Sequence, residues 1–126
     1  MRFYISFKWI IATGTLLCIC LSHFSLNVVA VLQVGNLPFR RVCKNYGADI
    51  TCGEMALATK LLQGVTSEWA LIKKHSSEDL FGVQLCGAFA DTMSKCTQLL
   101  TETCDIDFID VNVGCPIDLI FEQVGC

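Results

Sequence analysis

No excess of positive charge runs through this chain: nine lysines and arginines stand against twelve aspartates and glutamates, a formal net charge of -3 over 126 residues. That balance excludes an autonomous nucleic-acid binder, whose affinity comes from cations set against phosphates, so any such role needs a local patch or a partner domain. Between Lys8 and Arg40 there is no lysine, arginine, aspartate or glutamate, which excludes an ordinary solvated surface for that stretch. His23 within it is incidental. Paired C-x-x-C spacing is also missing. Nine cysteines are present, but the count is odd and no two have the spacing of a structural zinc site, so reduced, mostly buried thiols are expected and no metal. At this length the chain is one domain at most.

What is present begins with apolarity. Hydrophobic residues make up 53% of the chain and the mean hydropathy is +0.55, high for a soluble domain of this size. Much of the excess lies at the amino terminus. Arg2 and Lys8 form a short basic start, Trp9 to Leu21 is apolar, and Val28-Val29-Ala30 offers small residues where a signal peptidase could cut. Extended through Leu32, the run has the length of a bilayer span, although Ser22, His23, Ser25 and Asn27 interrupt it. Residues 1–33 therefore read as a hydrophobic leader: a signal peptide, a membrane anchor, or a gene-model artefact foreign to the domain that follows.

From Val34 onward turn formers and charges return together. Gly35-Asn36 predicts a turn, Pro38 suits the first turn of a helix, and Phe39, Val42, Cys43 and Tyr46 fall on one helical face before Gly47 closes it. Ala48 to Cys52 reads as a short strand that leaves through Gly53-Glu54-Met55. Ala56 to Gln63 predicts a helix ending at Gly64, and Ser67 to Lys74 a second one running into Lys73-Lys74-His75, a solvated basic end rather than a phosphate or metal site. Phe81 to Gly87 is another strand. Its one polar side chain, Gln84, must find partners, either core hydrogen bonds or a polar ligand. A helix follows with Asp91 near its start and Phe89, Met93, Cys96 and Leu100 along a core-facing stripe.

The last stretch is the most specific. Through 105–113, Phe108, Asp110 and Asn112 alternate with Ile109, Val111 and Val113, the period of a pleated strand, and Gly114 and Pro116 stop it around Cys115. The succession of strands and helices predicts an α/β fold with a parallel sheet, whose ligands gather at the carboxyl ends of strands. Those ends carry Glu54, Gln84 and the Asn112 to Cys115 turn. Taken singly, Glu54 reads as a solvated loop carboxylate and Cys115 as a buried thiol.

Together, the segments 35–44, 47–56, 82–87 and Asp110-Val111-Asn112-Val113-Gly114-Cys115-Pro116-Ile117-Asp118 resemble the flavin-dependent tRNA-dihydrouridine synthases, in particular the eukaryotic branch that modifies the tRNA variable loop. The resemblance runs from about Val34 to Phe121. It implies the amino-terminal portion, about four strands, of a TIM (β/α)8 barrel over residues 34–126. It further implies FMN at the barrel mouth, NADPH as reductant, tRNA held with the help of a helical domain, and a cytoplasmic or nuclear location. By the same resemblance Cys115 is the catalytic proton donor, Gln84 contacts the flavin, Asn112 lines the uracil site and Glu54 supports it. Two departures stand beside these matches. Val29 to Val34 replaces the expected first flavin loop, and Cys126 precedes the strands that would supply a lysine, a histidine and the flavin-phosphate loops. The chain alone is therefore expected neither to hold FMN tightly nor to turn over. Two alternatives stay open: a small secreted or membrane-anchored cysteine-rich binding protein, which would place it in the secretory pathway or on a membrane through the leader, and a non-catalytic fragment.

Overall fold

Asn36 shows how local chemistry starts the first helix. Its side-chain oxygen accepts from the backbone N–H of Phe39 at 3.0 Å, satisfying a donor that has no partner inside the helix, and Pro38 stands in the first turn where its missing N–H costs nothing. Gly47, with φ +86, closes the helix in the left-handed region that a side chain would strain. The computed structural model describes the backbone of residues 18–21 and 26–29 and all of residues 35–112. Cys115 and its turn therefore lie outside the described residues, as does most of the leader expected over residues 1–33.

In chain order the elements are β1 (Cys18–Leu21), β2 (Leu26–Val29), α1 (Leu37–Asn45), β3 (Ile50–Cys52), β4 (Ala56–Leu57), α2 (Ala58–Leu62), α3 (Thr66–Leu71), β5 (Leu80–Cys86), α4 (Ala90–Thr103) and β6 (Phe108–Val111). β1 and β2 form an antiparallel hairpin. From β2 onward every pairing is parallel: β2 with β3, β3 and β4 with β5, and β5 with β6. With β3 and β4 counted as one interrupted strand, β2, β3/β4, β5 and β6 lie side by side in chain order, each reached from the one before through a helical crossover. That is the winding of a (β/α)8 barrel, here in part, and not of a doubly wound sheet, where the strand order reverses.

The two faces of the sheet differ. Phe81, Val83 and Leu85 of β5 are fully buried and, with Ala56, Ala58, Leu61, Cys96, Leu100 and Ile109, form the core between sheet and helices. Period-two alternation then sends Gly82, Gln84, Phe108 and Asp110 to the opposite face, the inner face of a barrel. The alternation expected through 105–113 is therefore present as far as it is described.

Helix stripes are less regular than their spacing predicts. Cys96 and Leu100 of α4 are buried and Met93 packs beside them, but Phe89 stands before the helix and is 66% exposed. On α1 the expected apolar face is largely outside: Tyr46 is 87% exposed, while Arg40 is the buried residue. The helix predicted from Ala56 begins only at Ala58, because Ala56 and Leu57 pair with Leu85 and Cys86 first. The helix predicted to Lys74 ends at Leu71. Lys73 and Lys74 sit in the loop beyond it, where the Lys73 carbonyl accepts from Arg40 and the Lys74 ammonium pairs with Asp105 at 3.0 Å.

Candidate functional site

On the inner face, near the carboxyl ends of β5 and β6, three polar side chains stand in a row. Register sets Gln84 opposite Asp110, and Gln84 Nε2 donates to Asp110 Oδ2 at 2.6 Å. Asn112, one step past β6 and two residues on from Asp110, donates from Nδ2 to Gln84 Oε1 at 3.3 Å. Its backbone N–H is tied to the Leu85 carbonyl at 2.8 Å, so the ladder carries the strand direction past Val111. All three side chains are partly buried. The polar residue that β5 had to accommodate is therefore partnered within the sheet.

The next layer down is apolar. Gly82 pairs with Phe108, whose ring lies so close that a Cβ on Gly82 would meet ring atoms at 2.2 Å. Glycine here is what lets the ring lie across β5 beneath the Gln84 and Asp110 pair. On the side of β5 away from β6, Cys86 is buried among Met55, Leu57 and Ala88.

Glu54 is held differently. From Cys52 opposite Gly82 to Ala56 opposite Leu85, four steps along β3 and β4 face three along β5, so Gly53, Glu54 and Met55 form a bulge in what is otherwise one strand. Bulges re-aim side chains and recur at barrel rims. Gly53 N–H still reaches the Gly82 carbonyl at 2.9 Å. The Glu54 carboxylate is half-buried beside this bulge and does not join the hydrogen-bonded row of Gln84, Asp110 and Asn112.

Sequence reasoning brought Gln84 and Asn112 to this site and passed over Asp110. The signal was available, since Asp110 shares its strand face with Asn112 by alternation. Two of the described thiols are held protonated: burial pushes the Cys96 thiol up to about 11 and also raises that of Cys43, against a lowering backbone hydrogen bond. A separate open hollow follows α4 past Met93, Thr97 and Thr101 to Val111, but it lies on the helix side of the sheet, away from the polar row. Among the described residues no group of three or more histidine, cysteine, aspartate or glutamate side chains could hold a metal ion. No described helix is long and apolar enough to cross a membrane.

Comparison with known proteins bears on what this site is. The family model described as Dihydrouridine synthase (Dus) matches residues 27–126. The chain belongs to the dihydrouridine synthase family. Its relatives include tRNA-dihydrouridine(47) synthase [NAD(P)(+)]-like proteins of Xenopus tropicalis, 69% identical over 100 residues, and of Homo sapiens, 66% identical over 100 residues. A tRNA-dihydrouridine(47) synthase [NAD(P)(+)] of Cryptococcus neoformans is 52% identical over 94 residues. The match covers 79% of this chain and 16% of the Xenopus protein, 79% and 15% for the human one, and 71% and 13% for the fungal one. Dihydrouridine synthases are TIM barrels, in keeping with the sequential parallel sheet described above. The family match begins at residue 27, inside β2, within the stretch that composition marks as a leader.

Proposed function

We propose that this chain supplies the amino-terminal part of the barrel of an oxidoreductase that reduces uridine to 5,6-dihydrouridine in tRNA, with FMN as cofactor and NADPH as reductant. The observation that carries the reading is the row of Gln84, Asp110 and Asn112 at the strand ends, on the inner face of a dihydrouridine synthase sheet. A side-chain amide both donates and accepts, which suits the alternating donors and acceptors on the edges of an isoalloxazine or a pyrimidine ring. Gln84 would hold the flavin ring, Asn112 the uracil and flavin edge, and Glu54 would support the mouth from the bulge. The flavin, when bound, supplies hydride taken from NADPH to C6 of the uracil. Cys115, beyond the described residues, would give a proton from Sγ to C5 on the opposite face. A thiol fits that task because it holds its proton near neutral pH and regains it from solvent. The substrate would be tRNA, met in the cytoplasm or nucleus, with its base turned out of the stack to reach the site.

The test exchanges residues 27–126 into the Xenopus tropicalis relative, at the positions they match. The hybrid should purify with flavin and form dihydrouridine in tRNA, read by nucleoside mass spectrometry. Cys115→Ala in the exchanged segment should slow product formation by about 10²–10⁴-fold, the usual worth of a general acid, while NADPH still reduces the flavin. Undiminished product formation by Cys115→Ala, or a folded hybrid without flavin, would defeat the reading.

A further inference from the structure

A side-chain amide can sit with either its nitrogen or its oxygen toward a neighbour, and its shape does not decide between them. A neighbour that can only accept does decide. On the inner face that neighbour is Asp110. Its ionised carboxylate has no proton to give, so Gln84 must present Nε2, and does so at 2.6 Å. With the nitrogen committed, Gln84 Oε1 is turned toward Asn112, and Asn112 must then present its own nitrogen, which donates at 3.3 Å. Asn112 Oδ1 is thereby directed away from Gln84. Polarity set at one carboxylate is passed through two amides. The arrangement is held in place from below, where the Phe108 ring crosses Gly82, and by cross-strand register, which sets Gln84 directly beside Asp110.

We propose that Asp110 is a positioning residue, whose carboxylate fixes the orientation of the Gln84 and Asn112 amides and so the pattern of donors and acceptors they offer a bound ring. The inference rests on the reading of this face as the flavin and uracil site. An aspartate that merely tied β5 to β6 would be replaceable by any group able to hydrogen-bond Gln84. A positioning aspartate is not replaceable by asparagine, which has the same shape but can either accept from Gln84 or donate to it. Asp110→Asn therefore keeps a hydrogen bond while removing the instruction about its direction.

Two readouts separate these roles. In the isotope-labelled full chain, the Gln84 side-chain amide should give a single set of signals, its nitrogen held by Asp110. In Asp110→Asn the Gln84 amide should show two populations, and the Asn112 amide signals should shift with it. In the hybrid carrying residues 27–126, Asp110→Asn should weaken FMN binding by about tenfold, as expected for losing one well-directed hydrogen bond to a charged network. Unchanged single amide signals in Asp110→Asn overturn the proposal whether or not flavin binds. Reoriented amides with undiminished FMN affinity overturn it too, since the orientation would then serve no ligand. A hybrid that takes up no FMN even with Asp110 present refutes the flavin reading of the face, while the amide signals still decide what Asp110 does. Should Asp110→Asn fail to fold, Asp110→Ser, which also both donates and accepts, supports or overturns the proposal by the same two measurements.

Discussion

Arg40 and Glu78 are a charged pair in a place where charge is costly. Their side chains are 1% and 0% exposed, and the cost of removing them from water is met by hydrogen bonds at nearly every position. Arg40 Nε donates to Glu78 Oε1 at 2.7 Å, its two terminal nitrogens reach the Gly35 and Lys73 carbonyls at 2.6 Å each, and the guanidinium lies 4.8 Å from the Phe81 ring centroid. Glu78 also accepts from the His75 N–H at 2.8 Å. Burial by itself would raise the Glu78 pKa, but Arg40, the His75 amide and Thr51 together outweigh it and hold the carboxyl below its ordinary value. The unfolded chain therefore takes up this proton more readily. The stability contributed is complete above the ordinary glutamate pKa and is lost as pH falls through the lower folded value. Glu78→Gln should flatten the acid side of the stability profile, below about pH 5, in urea titrations followed by circular dichroism. It should also lower stability near neutral pH by about 3–5 kcal/mol, because Arg40 would remain buried without its counter-charge. Equal stability of variant and parent at both ends of that range would refute this. Helical spacing did not reveal the pair, since arginine is exposed by default and its partner is distant in the chain.

The element that most shapes the mouth is the interrupted strand formed by β3 and β4. A turn was legible at Gly53-Glu54-Met55, but continuation of the strand beyond it was not, because Ala56 and Leu57 have side chains equally at home in a helix. What decides the matter is pairing with Leu85 and Cys86, a contact far along the chain. Gly53 is confined by a neighbour of another kind: a Cβ there would lie 2.9 Å from the Leu71 carbonyl oxygen, a backbone atom at the end of α3 that cannot swing aside. Gly53→Ala should therefore destabilise by about 1–3 kcal/mol, the usual cost of overpacking, and shift the α3 amide resonances. A variant as stable as the parent, with those resonances unmoved, would show that α3 yields freely.

Taken whole, the described structure is organised on β5. It is the longest strand, it pairs with β3 and β4 on one side and β6 on the other, and three of its side chains fill the core. Opening the molecule far enough to expose β5 amides means breaking both ladders at once, whereas α3 has no fully buried residue. Native-state hydrogen exchange should therefore be slowest in β5, faster in β6 and fastest in α3. If α3 outlasted β5, the sheet would not be the cooperative centre. The same central strand carries Gln84, so the candidate site is built on the most firmly held part of the fold, where a hydrogen-bonded row can keep its geometry.

The chain's own chemistry determined its punctuation and its faces. Asn36 and Pro38 start α1, the positive-φ Gly47 and Gly64 end α1 and α2, and alternation through Phe108, Asp110 and Asn112 puts three inner-face residues on one side, all by interactions within a few residues. The resemblance of its motifs to the dihydrouridine synthases was legible in the same way, and the family match agrees with it. Tertiary structure alone decided which strands pair, where β3 bulges, that Arg40 rather than the apolar face of α1 goes inside, and that Asp110 stands beside Gln84. Each of these depends on residues far apart in the chain meeting at hydrogen-bond distance, and periodicity along one strand or helix carries no information about the register of its neighbour.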